Sequence, residues 1–203
     1  MKEMSGRQWL DSFKRHYDLN ILAYEKRIEG QKDNPSVWTK HVIGTVVQSV
    51  GDELKCYVVR QGKKKVEESG EYLHIDSLFL DNSIKPILHN QKSKYDDPRI
   101  LPEAAIEHEN SPDLDKISYC LWKLLCVRAK LRVLICYQSN SKSIEKNLRP
   151  HLEEVVSKGE LMKGEEGDLL VIVGDDKHDD YAQPFDKYYR VFQWQGDRFE
   201  GIR

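Results

Sequence analysis

Long apolar runs are missing from this sequence. The longest unbroken ones, such as Leu169–Val173, hold four or five residues, far fewer than the roughly 20 a membrane-crossing helix needs. The opening Met1-Lys2-Glu3-Met4-Ser5-Gly6 has no apolar stretch of the kind a secretory signal carries, so a cytoplasmic chain is expected. A strong charge of one sign is missing too. The 32 Lys and Arg face 34 Asp and Glu, for a net charge of −2. That excludes a bulk basic field, so nucleic acid would have to be held by a local patch. Neither Gly-x-Gly-x-x-Gly nor Gly-x-x-x-x-Gly-Lys-Ser/Thr occurs, so no nucleotide cofactor is expected. There is no Gly-x-Ser-x-Gly elbow and no Cys/His nucleophile pattern. Cysteines are few: Cys56, Cys120, Cys126 and Cys136. None makes a Cys-x-x-Cys pair or has a His at zinc-ligand spacing. All four sit in apolar segments and read as small buried thiols in a reducing compartment.

What is present is a single-domain length of 203 residues, 39% hydrophobic and 33% charged. Apolar spacing predicts a helix over 7–29, carrying Trp9, Phe13 and Tyr17. A second helix follows Asn34-Pro35 and ends near Gly51. The period then shortens. Strands are expected at 54–60, 71–80 and 103–109, the last between Pro102 and Ser111-Pro112. Between the second and third lies the long irregular stretch 81–102. A helix from Asp113, a strand at 131–137, a helix over 141–157 strained by Pro150, and a strand at 168–174 come next. The last is apolar throughout, as a strand buried on both faces would be. An acidic loop at 175–183, a strand at 188–194 and a returning strand at 198–202 complete the order. Alternation in the second half indicates an α/β domain whose central sheet is flanked by helices.

Strand geometry singles out a group of acids. Side chains two apart share a face, so His74 and Asp76 would point together, as would Glu107 and Glu109. If the two strands are neighbours, Asp76, Glu107 and Glu109 converge. Three carboxylates repel one another unless a cation lies between them, and hard oxygen ligands suit Mg²⁺ or Mn²⁺. The alternative is that these acids are solvated or hydrogen-bonded to loop amides. His108 should face away from Glu107.

The order αβββαβ, with Ile75-Asp76 in the second strand and Ala105-Ile106-Glu107-His108-Glu109-Asn110 in the third, resembles the PD-(D/E)XK nuclease superfamily, the restriction-endonuclease-like fold. The resemblance covers about 34–138. It implies a restriction-endonuclease-like core with a mixed central sheet at 34–138, an N-terminal helical extension at 1–33, and a C-terminal helix and strands at 139–203 that complete the sheet. It implies an endonuclease, a hydrolase that cuts DNA phosphodiester bonds with metal-bound water. Asp76 and Glu107 would hold Mg²⁺ or Mn²⁺, with Glu109 as a further ligand or as the group that holds the water. Glu109 stands where the family usually has lysine. Some members carry that lysine on the following helix, where Lys116 and Lys123 are the candidates. Both lie opposite the main apolar stripe, as a plain solvated face would. Glu53 would be an accessory acid and His74 a supporting donor or base. Lys63, Lys64, Lys65, Lys94 and Arg99 would contact DNA, with the stretch 81–102 as a clamp. A homodimer suits a double-strand cutter. A catalytically inactive member of the fold, binding nucleic acid or protein, is the alternative. An unrelated α/β interaction protein is the third reading.

Overall fold

Two runs of aliphatic and branched side chains, β4 (Leu131–Gln138) and β5 (Asp168–Asp175), form the middle of a seven-stranded sheet. Every residue of β4 is buried, as an inner strand covered on both faces requires. The computed structural model describes residues 4–27, 35–60, 74–82, 101–159, 167–175 and 183–202. The remaining strands are β1 (Cys56–Arg60), β2 (Ser77–Asp81), β3 (Ala104–His108), β6 (Tyr189–Trp194) and β7 (Phe199–Ile202), and all seven lie side by side in chain order. β2 runs antiparallel to both of its neighbours, β1 and β3. β3, β4 and β5 are parallel, and β6 and β7 return antiparallel. The chain is thus α/β with a mixed sheet.

Helices cover both faces. α1 (Gly6–Arg27) and the pair α2 (Pro35–His41) and α3 (Gln48–Glu53), joined by the π-helical Val42–Val47, pack on one face. α4 (Leu114–Cys126) and α6 (Arg149–Gly159) pack on the other. The two parallel crossovers supply the second layer, so the N-terminal helices must supply the first. α1 does so with Trp9, Phe13 and Tyr17, all fully buried. The Trp9 and Phe13 rings stack at 5.0 Å. Its start and its middle are tied to late elements. The Gly6 N–H donates to Asp168 Oδ2 (2.7 Å), and Asp18 Oδ1 accepts the N–H of Phe185 (2.7 Å), which opens the helical turn α7 (Phe185–Tyr188).

Pro150 is accommodated without a break. α5 (Ser141–Ser143) runs into a π-helical stretch, Ile144–Leu148, directly before α6. The wider turn falls where the proline ring would otherwise crowd the preceding carbonyl. Three expectations need correction. The second strand begins at Ser77, because His74 sits at a turn with φ 54° and Asp76 at a bend. Tyr188 closes a helical turn instead of opening the last strand. Of the cysteines, Cys120 and Cys136 are buried, whereas Cys56 is half-buried and Cys126 exposed; all four are free. The hairpin at 198–202 is present as β7 against β6.

α3 lies close on β1 because Gly51 has no side chain. A Cβ there would stand 2.1 Å from Val58 Cγ2 and 3.6 Å from Phe79 Cζ. Alanine would favour the helix but overpack this contact, and a β-branched neighbour has little room to turn. Gly51→Ala should therefore lose about 1–2 kcal/mol in a urea titration. An unchanged midpoint would mean that Val58 yields without cost.

Candidate active site

β2 and β3 pair with Ser77 opposite Ile106, so the next step off the ladder sets Asp76 against Glu107. There the side chains take over the hydrogen bonds that the ladder would have made. The Asp76 N–H donates to Glu107 Oε1 (3.3 Å), and Asp76 Oδ2 accepts the N–H of His108 (2.8 Å). Each acid braces the other's strand. The site lies at the C-terminal end of β3, the first of the three parallel strands. Such strand ends are where open α/β sheets present their ligand sites.

Residues along β3 alternate between the two faces. Ala104 and Ile106 join the core beneath α1, and Ala105 joins the core beneath α4. Glu107 follows Ala105 and meets α4, where its Oε2 lies 2.7 Å from Lys123 Nζ. The same ammonium donates to the His74 carbonyl (3.3 Å), which the left-handed turn at His74 presents to it. Glu107 is 1% exposed and Lys123 8%. The expectation that Lys123 belongs to a solvated helix face is therefore wrong. The end of the β2 segment and the β3 acid cover it, and helical periodicity carries no information about either. Lys116 is exposed.

Negative charge outweighs positive here. Burial, then the charge of Asp76, pushes the Glu107 carboxyl up to about 7 despite Lys123. Burial also raises Asp76, aided by the charge of Glu109 and opposed by the His108 amide and Lys123. For Lys123, burial works against the ammonium, but the hydrogen bond and charge of Glu107, with the charges of Cys120 and Asp76, outweigh it and raise its pKa. Lys123 is therefore a cation at neutral pH, a donor and not a base.

The three acids do not form one cluster. Glu109 Oε1 accepts the N–H of Ser111 (2.7 Å), and Oε2 faces the Cys120 thiol at 3.9 Å. Among the described residues no group of three His, Cys, Asp or Glu side chains is placed to share a metal ion. Two carboxylates are nevertheless what a Mg²⁺ site commonly offers, since that ion keeps several waters and takes further oxygens from a phosphate. In the Asp76–Glu107 pair, Glu107 Oε1 and Oε2 meet the Asp76 amide and Lys123, and Asp76 Oδ2 meets the His108 amide, so an ion would share oxygens that these donors hold in place.

The other sequence-derived candidates are placed as follows. His74 is exposed and shares no strand face with Asp76; its backbone carbonyl, not its ring, is what meets Lys123. Glu53 ends α3, where it pairs with Arg15 and with His16 Nε2 (2.8 Å) of α1, and so braces two helices. Lys63, Lys64, Lys65, Lys94 and Arg99, and most of the stretch 81–102, lie outside the described residues.

Sequence reasoning missed the floor beneath the site. His108 faces away from Glu107, and its Nε2 lies 2.8 Å from Tyr137 Oη. That hydroxyl accepts the Trp38 indole N–H (2.6 Å) and lies 3.2 Å from Tyr189 Oη. Burial pushes His108 down to about 3, so the ring is neutral. The signal was a polar tip at the C-terminal end of each of two adjacent parallel strands, His108 on β3 and Tyr137 on β4. The chain matches no family model, no curated protein and no solved structure.

Proposed function

We propose that this protein is a divalent-metal-dependent nuclease with a restriction-endonuclease-like core, acting on DNA. The observation that carries the reading is the contact between Lys123 on α4 and Glu107 on β3. The lysine absent at Glu109 is supplied from the next helix, beside an Asp–Glu pair. The sheet order agrees with this reading: three antiparallel strands, then α4, then β4 parallel to β3.

Asp76 and Glu107 would hold Mg²⁺ or Mn²⁺, which when bound supplies a Lewis acid for the phosphate and a more acidic water. Glu107 is fixed by Lys123 and the Asp76 amide, and Asp76 by the His108 amide, so neither carboxylate swings freely. Lys123, anchored at Glu107 Oε2 and the His74 carbonyl, would offer its remaining N–H to negative charge on a phosphate held beside Glu107. Glu109 adds negative charge next to Asp76 but keeps Oε1 on Ser111. The free cysteines suit a reducing cytoplasm.

A plasmid-nicking assay tests this. Wild type should nick in Mg²⁺ or Mn²⁺ and not in EDTA. Glu107→Gln and Lys123→Met should each lose about 100-fold or more, since one removes a ligand and the other the group that orients it. Equal rates for wild type and Glu107→Gln would reject the reading. DNA retention without metal-dependent nicking would favour the inactive binding module that Glu109 in the motif's lysine position points to.

A further inference from the structure

Around the lysine that reaches Glu107, the outer side of α4 carries two aromatic rings in water. Tyr119 is 59% and Trp122 46% exposed, and the rings stack with centroids 5.9 Å apart and planes 22° from parallel. Leu19 and Leu101, the other strongly exposed large apolar side chains among the described residues, are aliphatic and lie off α4, on α1 and before β3. The aromatic pair is continuous with the candidate site. Lys123 Nζ lies 5.6 Å from the centre of the Tyr119 ring while it pairs with Glu107. Exposed Lys116 sits one helical turn before Tyr119.

We propose that Tyr119 and Trp122 form a stacking platform for an unpaired base of the strand whose phosphate lies at Asp76, Glu107 and Lys123, so that the substrate class is single-stranded or locally unpaired DNA. The placement of the phosphate rests on the nuclease reading; the stacking surface does not. Every base has a π face, and an aromatic platform takes any of them without reading sequence. Inside a duplex those faces are covered by neighbouring bases. A duplex binder would instead depend on many phosphate contacts, and a chain of net charge −2 supplies no general basic field. Exposed Lys116, one turn from Tyr119, suits a backbone that follows the stacked base.

The test compares labelled oligothymidylate with a blunt hairpin duplex of equal length, by anisotropy in EDTA. Wild type should prefer oligothymidylate. Trp122→Ala and Tyr119→Ala should each weaken that binding about tenfold or more, with Trp122→Phe close to wild type. Both side chains are exposed, so the fold should tolerate the changes, and unchanged melting would verify this. Leu19→Ala, at an exposed aliphatic position on α1, should bind as wild type does. Equal binding by wild type and Trp122→Ala, or no preference for oligothymidylate, would overturn the platform. Cleavage separates the two ideas. Metal-dependent cutting that ignores strandedness and Trp122→Ala leaves the nuclease and removes the platform. Trp122-dependent binding without cutting in Mg²⁺ or Mn²⁺ leaves the platform and removes the nuclease.

Discussion

Lys123→Met should destabilise the protein by about 2 kcal/mol at pH 8 and by about 1 kcal/mol at pH 5. At pH 8 the wild-type carboxylate is charged and held by Lys123; without the ammonium, which holds its pKa down, Glu107 must either stay charged and unpaired in a buried place or take up a proton. At pH 5 Glu107, with its pKa near 7, already holds a proton in the wild type. Only a hydrogen bond to a neutral acid is then lost. Urea titrations at the two pH values measure the difference, and equal losses would show that Lys123 acts through packing alone. The double variant Glu107→Gln, Lys123→Met should recover most of the stability at pH 8, because both buried charges are gone. It should not recover nicking, which separates the pair's structural contribution from its chemical one.

In metal-free buffer, wild-type stability should stay nearly level between pH 6.5 and 4.5, whereas Glu107→Gln should lose about 2–3 kcal/mol over the same span. Two buried groups act in opposite directions there. His108 has a pKa of about 3 when folded against 6.5 as a free side chain. The unfolded chain therefore binds more protons between those values, and stability is lost as the pH falls. Glu107 has a pKa of about 7 when folded against 4.5. The folded chain binds more protons across that window, and stability is gained as the pH falls. The two windows overlap from 4.5 to 6.5, each with a slope of about 1.4 kcal/mol per pH unit. Asp76, raised from 3.8, adds to the Glu107 side at lower pH. Removing Glu107 leaves His108 unopposed. His108→Phe should give the mirror image, with stability rising toward pH 4.5. Denaturant midpoints across this range decide the matter, and a parallel decline in all three proteins would remove the assignment.

The legible parts of the fold were those where one residue pattern implied one burial pattern. The run 168–174 could only be a strand covered on both sides, and β5 spans Asp168–Asp175. The stripe of Ile117, Leu121, Leu124 and Leu125 fixed α4. The segment 103–109 was harder, since Glu and Ala favour helix, yet β3 is fully buried between two layers and tertiary packing overrode propensity. The candidate site was legible in part. The antiparallel neighbours bring Asp76 and Glu107 together, but Asp76 lies off the strand end, where alternation no longer tells direction. Lys123 was misplaced because a helical wheel records its own helix and not what crosses it. The Tyr137–His108–Trp38 contacts join residues 29 and 99 positions apart, a separation no local pattern encodes.

The bonds from α1 to Asp168 and Phe185 have a consequence during synthesis. They span 162 and 167 positions, so this helix closes onto elements made long after it. Trp9 and Tyr17 meet Phe79 and Trp38 early, but at about 5–20 residues per second the rings of Phe185 and Tyr189 follow α1 on the order of ten seconds or more later. Through that interval the apolar side of α1 is covered only in part, the kind of surface that chaperones recognise.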